Sequence, residues 1–152
     1  MSPRPTTLIL ATLLAATAAR AATPGQQCAA SKIKAAGKKA ACLLFLDAKV
    51  AGGATADPIK MQRCEDKLSD PEQGAFARAE ARGGCAVGGD AMTVEGTVDA
   101  FVADVYGALN VGTPNACQAA KIRAAGKKAS CLLTLQAKNA AGHGLDMGKV
   151  QV

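Results

Sequence analysis

Cys28-Ala-Ala-Ser-Lys-Ile-Lys-Ala-Ala-Gly-Lys-Lys-Ala-Ala-Cys42-Leu-Leu returns as Cys117-Gln-Ala-Ala-Lys-Ile-Arg-Ala-Ala-Gly-Lys-Lys-Ala-Ser-Cys131-Leu-Leu. The offset is 89 residues, and about 21 of the 36 positions aligned from Cys28 and Cys117 are identical. Self-similarity of this kind defines a structural unit. Alanine and lysine favour helix, and no proline interrupts Cys28 to Ala51. Ile33, Ala36, Ala40, Leu43 or Leu44, and Ala48 recur near the helical period and form one apolar stripe. Gly37 lies inside that helix and Gly126 at the same place in the second copy. An interior glycine costs about 1 kcal/mol relative to alanine. Its recurrence reflects either close approach of another backbone or duplication alone.

Working outward, Gly52-Gly53 ends the first helix, and Asp57-Pro58 starts the next with an N-cap and a proline at the first helical position. Ser69-Asp70-Pro71 repeats the start signal, so the chain either kinks there or restarts with Asp70 as cap. The restarted part runs through Phe76 and Arg82 to Gly83-Gly84 and Cys85. Asp90 to Asn110 forms a third, amphipathic helix with Val94, Val98, Phe101, Val102, Val105 and Leu109 on one stripe. That helix is acidic, with Asp90, Glu95, Asp99 and Asp104, whereas the first is lysine-rich. The acidic helix is expected to pack near a basic one, of its own unit or of the next.

The cysteines sharpen the picture. Fourteen residues of helix span about 21 Å, and a disulfide needs Cα atoms within about 7 Å. Cys28 therefore does not bond Cys42 along an intact helix. Fourteen residues are close to four whole turns, so both thiols emerge on nearly one face. Antiparallel packing of the following arm favours nested bridges, Cys42 with Cys64 and Cys28 with Cys85; the crossed map, Cys28 with Cys64 and Cys42 with Cys85, is the alternative. Only Phe45, Phe76, Phe101 and Tyr106 are aromatic. A core of small side chains buries little area, so bridges at about 2–4 kcal/mol each are expected to carry much of the stability.

This layout resembles the twin C-x9-C proteins and the plant alpha-hairpin peptides, two groups of helical hairpins stapled by nested disulfides; the spacings differ, so the likeness is architectural. The wording from Cys28 onward also resembles lysine- and alanine-rich repeat modules of secreted bacterial proteins. That resemblance implies no catalytic activity.

Met1 to Ala21 reads as a secretory signal peptide: Arg4, the apolar run Leu8 to Ala19, and the cleavage site Ala19-Arg20-Ala21. The run is short for a membrane span. The expected units are the signal peptide 1–21, a first helical repeat 22–110, a linker 111–116 and an incomplete second repeat 117–152. The expected compartment is extracytoplasmic, secreted or periplasmic in a bacterium, where disulfides persist. The second copy stops one position short of a counterpart to Cys64, which leaves Cys117 and Cys131 as unpaired thiols, free or joined between chains.

The formal charge is +6, and without Arg4 and Arg20 sixteen basic residues face twelve acidic ones. Chemistry is sparse. There is no C-x-x-C for zinc or a redox dithiol, no haem attachment motif and no glycine-rich phosphate loop. The one histidine, His143, sits among glycines and reads as solvated. Glu65, Asp66, Glu72 and Glu80 lie among basic residues and read as surface pairs. No cofactor, metal or catalytic residue is expected. The whole reads as an all-α, disulfide-stapled antiparallel helical hairpin with a third amphipathic helix and a truncated second copy. Its expected function is that of a non-enzymatic structural or protein-interaction module, acting on a protein partner or by self-association. The alternative is a binder of anionic glycans or lipid headgroups through Lys32, Lys38 and Lys39 and their copies Lys121, Lys127 and Lys128. Nucleic acid is not an expected partner, and no transmembrane segment is expected in the mature chain.

Overall fold

The computed structural model describes residues 21–145 and 147–150. The expected signal peptide, apart from Ala21, lies outside the described residues, as do the last two residues. Among the described residues the chain is all helical: α1 Pro24–Ala51, α2 Pro58–Ser69, α3 Ala75–Ala81, α4 Ala91–Leu109, α5 Ala116–Ala140 and the single turn α6 Met147–Val150.

The start and stop signals act as elementary physics requires. Thr23 caps α1: its hydroxyl accepts from the Gln26 backbone N–H, and the Gln26 side chain accepts from the Thr23 N–H. Asp57 caps α2 by accepting from Lys60 N–H at 3.0 Å. Asp70 does not cap α3. Its carboxylate accepts from Glu72 and Gln73 N–H, holding a separate turn around Pro71, and its carboxyl is held below the usual range by those bonds. Helix resumes only after Gly74. The reason is local: with Asp70 in extended backbone ahead of proline, the carboxylate reaches the nearest two amides.

Two disulfides tie α1 to the chain that follows. They are Cys42–Cys64, Cα atoms 5.9 Å apart, and Cys28–Cys85, 5.3 Å apart. This is the nested pairing, so the segment after Cys64 returns along α1 toward its N-terminus. The core gathers Ala36, Ala40, Leu43, Leu44 and Ala48 from α1 with Leu68, Phe76, Val98, Val102 and Ile122. Phe101, expected on the buried stripe of α4, is exposed instead. Val98 and Val102 face inward, and Phe101 stands about 100° from Val102 around the helix, outside the arc that α1 and α2 cover.

The broadest packing is between α1 and α5, and it is antiparallel. A Cβ on Gly37 would stand 2.9 Å from Leu133 Cβ, and one on Gly126 would stand 3.1 Å from Leu44 Cβ. Leu44 and Leu133 are themselves equivalent under the 89-residue offset. At one end of the pair Asn115 N–H donates to Ala51 O at 2.8 Å, and at the other Gly142 stands beside the Gln26 side chain. The two copies of the quoted stretch thus meet in reciprocal register, about a local two-fold axis between the glycines. Close backbone approach accounts for both glycines: a side chain at either would separate the helices where they cross.

Candidate functional site: a basic groove over a disulfide

Consecutive lysines on a helix point about 100° apart. Lys38 and Lys39 therefore go to different places. Lys39 is 2% exposed, and its ammonium lies 2.6 Å from Glu95 and 2.8 Å from Asp99 on α4. The Ser69 hydroxyl donates to the same Glu95 oxygen, which joins the end of α2 to the pair. Lys32, two turns earlier on the same face, is also buried. It donates to Glu80 at 2.7 Å, to Val87 O at 2.8 Å and to Asp90, and its ammonium lies 5.1 Å from the Phe76 ring centre. Burial works to lower the Lys32 pKa; the hydrogen bonds and charges of Asp90 and Glu80 outweigh it, and the pKa is raised above 10.5.

Two expectations are corrected here. Lys32 and Lys39 are not anion contacts, because each lysine is itself buried and already paired with two carboxylates. Glu80 is not a surface pair but an inward acceptor, which also takes the Gly89 N–H at 3.0 Å. The acidic helix does meet the basic one, through Asp90, Glu95 and Asp99; Asp104 is exposed and outside this network.

Other basic side chains gather on one stretch of the surface. A cleft of about 550 Å³ lies between α1 and the α2–α3 arm and is lined by Lys34, Lys38, Lys67, Arg78 and Arg82. It runs into a second cleft of about 760 Å³ between α1, α2 and α5, which adds Lys60, Arg63, Arg123 and Lys127. Lys38, Lys67 and the Cys42–Cys64 bridge line both, so the two clefts adjoin at the disulfide and together make up one basic groove. Among the described residues no Asp or Glu lines either cleft. Phe45, 44% exposed, closes the far end, with Arg123 at 5.4 Å and Lys49 at 4.8 Å from its ring centre. At the other end Arg82 donates to Ser31 Oγ at 2.9 Å. Asp57 pairs with one lining cation, Lys60, at 2.7 Å.

Of the six lysines marked in the sequence, Lys38, Lys39 and Lys127 line this groove, Lys39 only with its stem because its ammonium is paired with Glu95 and Asp99; Lys121 and Lys128 are exposed on α5 away from it. The contributors that sequence reading passed over are Lys34, Lys60, Lys67 and the arginines. A signal was present. Lys34, Lys38 and Cys42 recur at intervals of four, in phase with a cysteine that must face the arm. Lys32 and Lys39, seven apart, fall in phase with the buried Ala36 and Leu43 instead.

Lysines supply point charges and arginines a two-pronged fork, so the groove can bind anionic groups. Its one lining hydroxyl among the described residues, Ser31, donates to Gln27 O at 2.8 Å and accepts from Arg82. Ser69 meets Glu95, but that carboxylate is committed to Lys39. Cys117, Cys131 and His143 are exposed and lie outside the groove. Among the described residues no cluster of three His, Cys, Asp or Glu is placed to hold a metal ion. Nor is any helix long and apolar enough to cross a membrane. Comparison with protein-family models, curated proteins and solved structures returns no match for this chain.

Proposed function

We propose that the protein is a non-catalytic, extracytoplasmic binding module that takes an anionic polymer, such as an acidic glycan, along the groove over the Cys42–Cys64 bridge. The observation that carries this reading is the run of cations from Arg82 to Arg123 with no acid among its lining residues. The inward pairing of Glu80, Asp90, Glu95 and Asp99 supports it, since it removes the charges that would neutralise the surface. The two disulfides and the leader-like first 21 residues fit an oxidising compartment. The spread of the cations over two adjoining clefts favours an extended ligand over a small ion.

The test separates groove from net charge. Lys38→Glu with Lys67→Glu reverses two charges in the groove; Lys121→Glu with Lys128→Glu reverses two on α5. Each exposed pair is worth up to about 1 kcal/mol, and each 1.4 kcal/mol is tenfold in affinity. The groove variant should bind heparin roughly tenfold more weakly or worse, and the α5 variant should bind nearly as the parent does. The affinity should also fall steeply with added salt, because the exposed charges are screened within about 8 Å at physiological ionic strength. Equal losses in the two variants would show attraction to net charge only and defeat the reading.

A further inference from the structure

Helices α1 and α5 carry nearly the same words but only one of them is covered. On α1, Cys28, Lys32, Ala35, Lys39 and Leu43 are buried under the arm formed by α2, α3 and α4. Their equivalents on α5 are Cys117, Lys121, Ala124, Lys128 and Leu132; the first four are exposed and Leu132 is half-buried. Cys131, equivalent to the bridged Cys42, is exposed with a free thiol, as is Cys117. The register of the match extends past the helix. Lys149 of α6 lines a small cleft with Cys131, Ser130 and Thr134, as Lys60 of α2 lines one with Cys42, Ala41 and Phe45. The local two-fold that relates the helices also relates these clefts.

We infer that the exposed face of α5 is a docking surface for an acidic helical segment bearing two cysteines, supplied by another polypeptide. The face has the spacing of a surface whose occupant is known within the same molecule. On α1 that occupant sets one bridged cysteine at each end and gives each lysine two carboxylates. A second copy of α5 is a poor occupant. Antiparallel pairing would bring Cys117 of each chain to Cys131 of the other, but it would also set Lys121 of each chain against Lys127 and Lys128 of the other, and like charges held in contact repel. The inference does not depend on the ligand of the groove, which lies elsewhere on the surface.

Once docked, two bridges would form with glutathione disulfide as oxidant. For each, two thiols give up two protons and two electrons, and one glutathione disulfide leaves as two glutathione thiols.

The probe is a synthetic peptide copying residues 57–110, added to the intact chain in a glutathione redox buffer. The expected product is a one-to-one adduct in which Cys131 is bonded to the peptide's Cys64 and Cys117 to its Cys85, read by peptide mapping. A peptide with Glu80, Asp90, Glu95 and Asp99 changed to lysine should form it at least tenfold less. Should the peptide fail to attach, a chain extended after Val152 by a second copy of Cys64–Asn110 decides the matter. That extension puts its cysteines in register with Cys131 and Cys117, and the same nested map is expected together with loss of both free thiols. Scrambled bonds in the extended chain, equal yield from the lysine-bearing peptide, or preferential cross-linking of Cys117 and Cys131 between copies of the chain would each overturn the inference.

Discussion

Helix α1 and helix α5 are a natural controlled comparison. They share the lysines at Lys32, Lys38, Lys39 and Lys49 with Lys121, Lys127, Lys128 and Lys138, an interior glycine and two cysteines, with Lys34 matched by Arg123, and they press against each other through equivalent residues. Yet Lys39 is enclosed with two carboxylates while Lys128 stands in solvent. The difference lies in what covers each helix, not in the helices. A residue's role here is set by its neighbours across space, and the same letter is a buried ion pair in one copy and surface charge in the other.

The comparison can be broken or sharpened by substitution at paired sites. The largest contrast is expected at Lys39 and Lys128. Lys39→Ala leaves Glu95 and Asp99 charged and half-enclosed without a counter-ion, which costs about 3–5 kcal/mol; Lys128→Ala should stay within about 0.5 kcal/mol. Denaturant unfolding of the oxidised protein measures both, and similar losses at the two sites would show that α1 and α5 are not differently covered.

The cysteines come next. Replacing Cys42 and Cys64 together by serine removes a bridge and should cost about 2–4 kcal/mol. Cys117→Ser with Cys131→Ser, at the exposed thiols, should leave the melting temperature where it was. A destabilised thiol variant would mean that those two cysteines are already engaged.

At the crossing the expectation reverses, and the two copies should behave alike. Gly37→Ala and Gly126→Ala each force a Cβ against a leucine Cβ of the other helix. Overpacking costs about 1–3 kcal/mol, offset by the 0.5–1 kcal/mol that alanine contributes to helix formation. Losses of similar size at both positions would support the two-fold; a loss at one only would refute it.

The smallest effect is a pH dependence in the first copy. The pKa of Lys32 is raised in the folded state, so its ion pairs stabilise the fold fully below the unfolded value of 10.5. That contribution is lost as pH rises through the elevated folded value. Melting curves of the parent and Lys32→Met should therefore converge as pH rises above 10.5. A constant gap between parent and Lys32→Met across that range would remove the charge from the explanation.

Much of this fold is legible in local rules. Helix starts at Asp57 and stops at Gly52-Gly53 follow from capping and from the freedom of glycine at positive φ, and Gly53 has φ of 98°. The bridging order follows from the rise of a helix against the reach of a disulfide. What stayed hidden depends on rotation about the helix axis relative to neighbours. Lys38 and Lys39 are adjacent in the chain, and nothing in the pair itself says which turns inward. The α2–α3 arm decides it, by placing Cys64 against Cys42 and so fixing which side of α1 it covers. Phe101 is exposed for the same reason: an apolar stripe is buried only as far as its neighbours extend.

The sequence by itself determined the long helices, the Asp57 cap, the repeat and the spacing that makes nested bridges geometrically favourable, because these depend on contacts a few residues apart or on the fixed dimensions of the backbone. Only the tertiary structure decided that the two copies cross at their glycines, that four acids are drawn inside and that a basic groove is left over the disulfide. Those outcomes come from packing between elements far apart in the chain, where charge and shape are matched only once the helices meet.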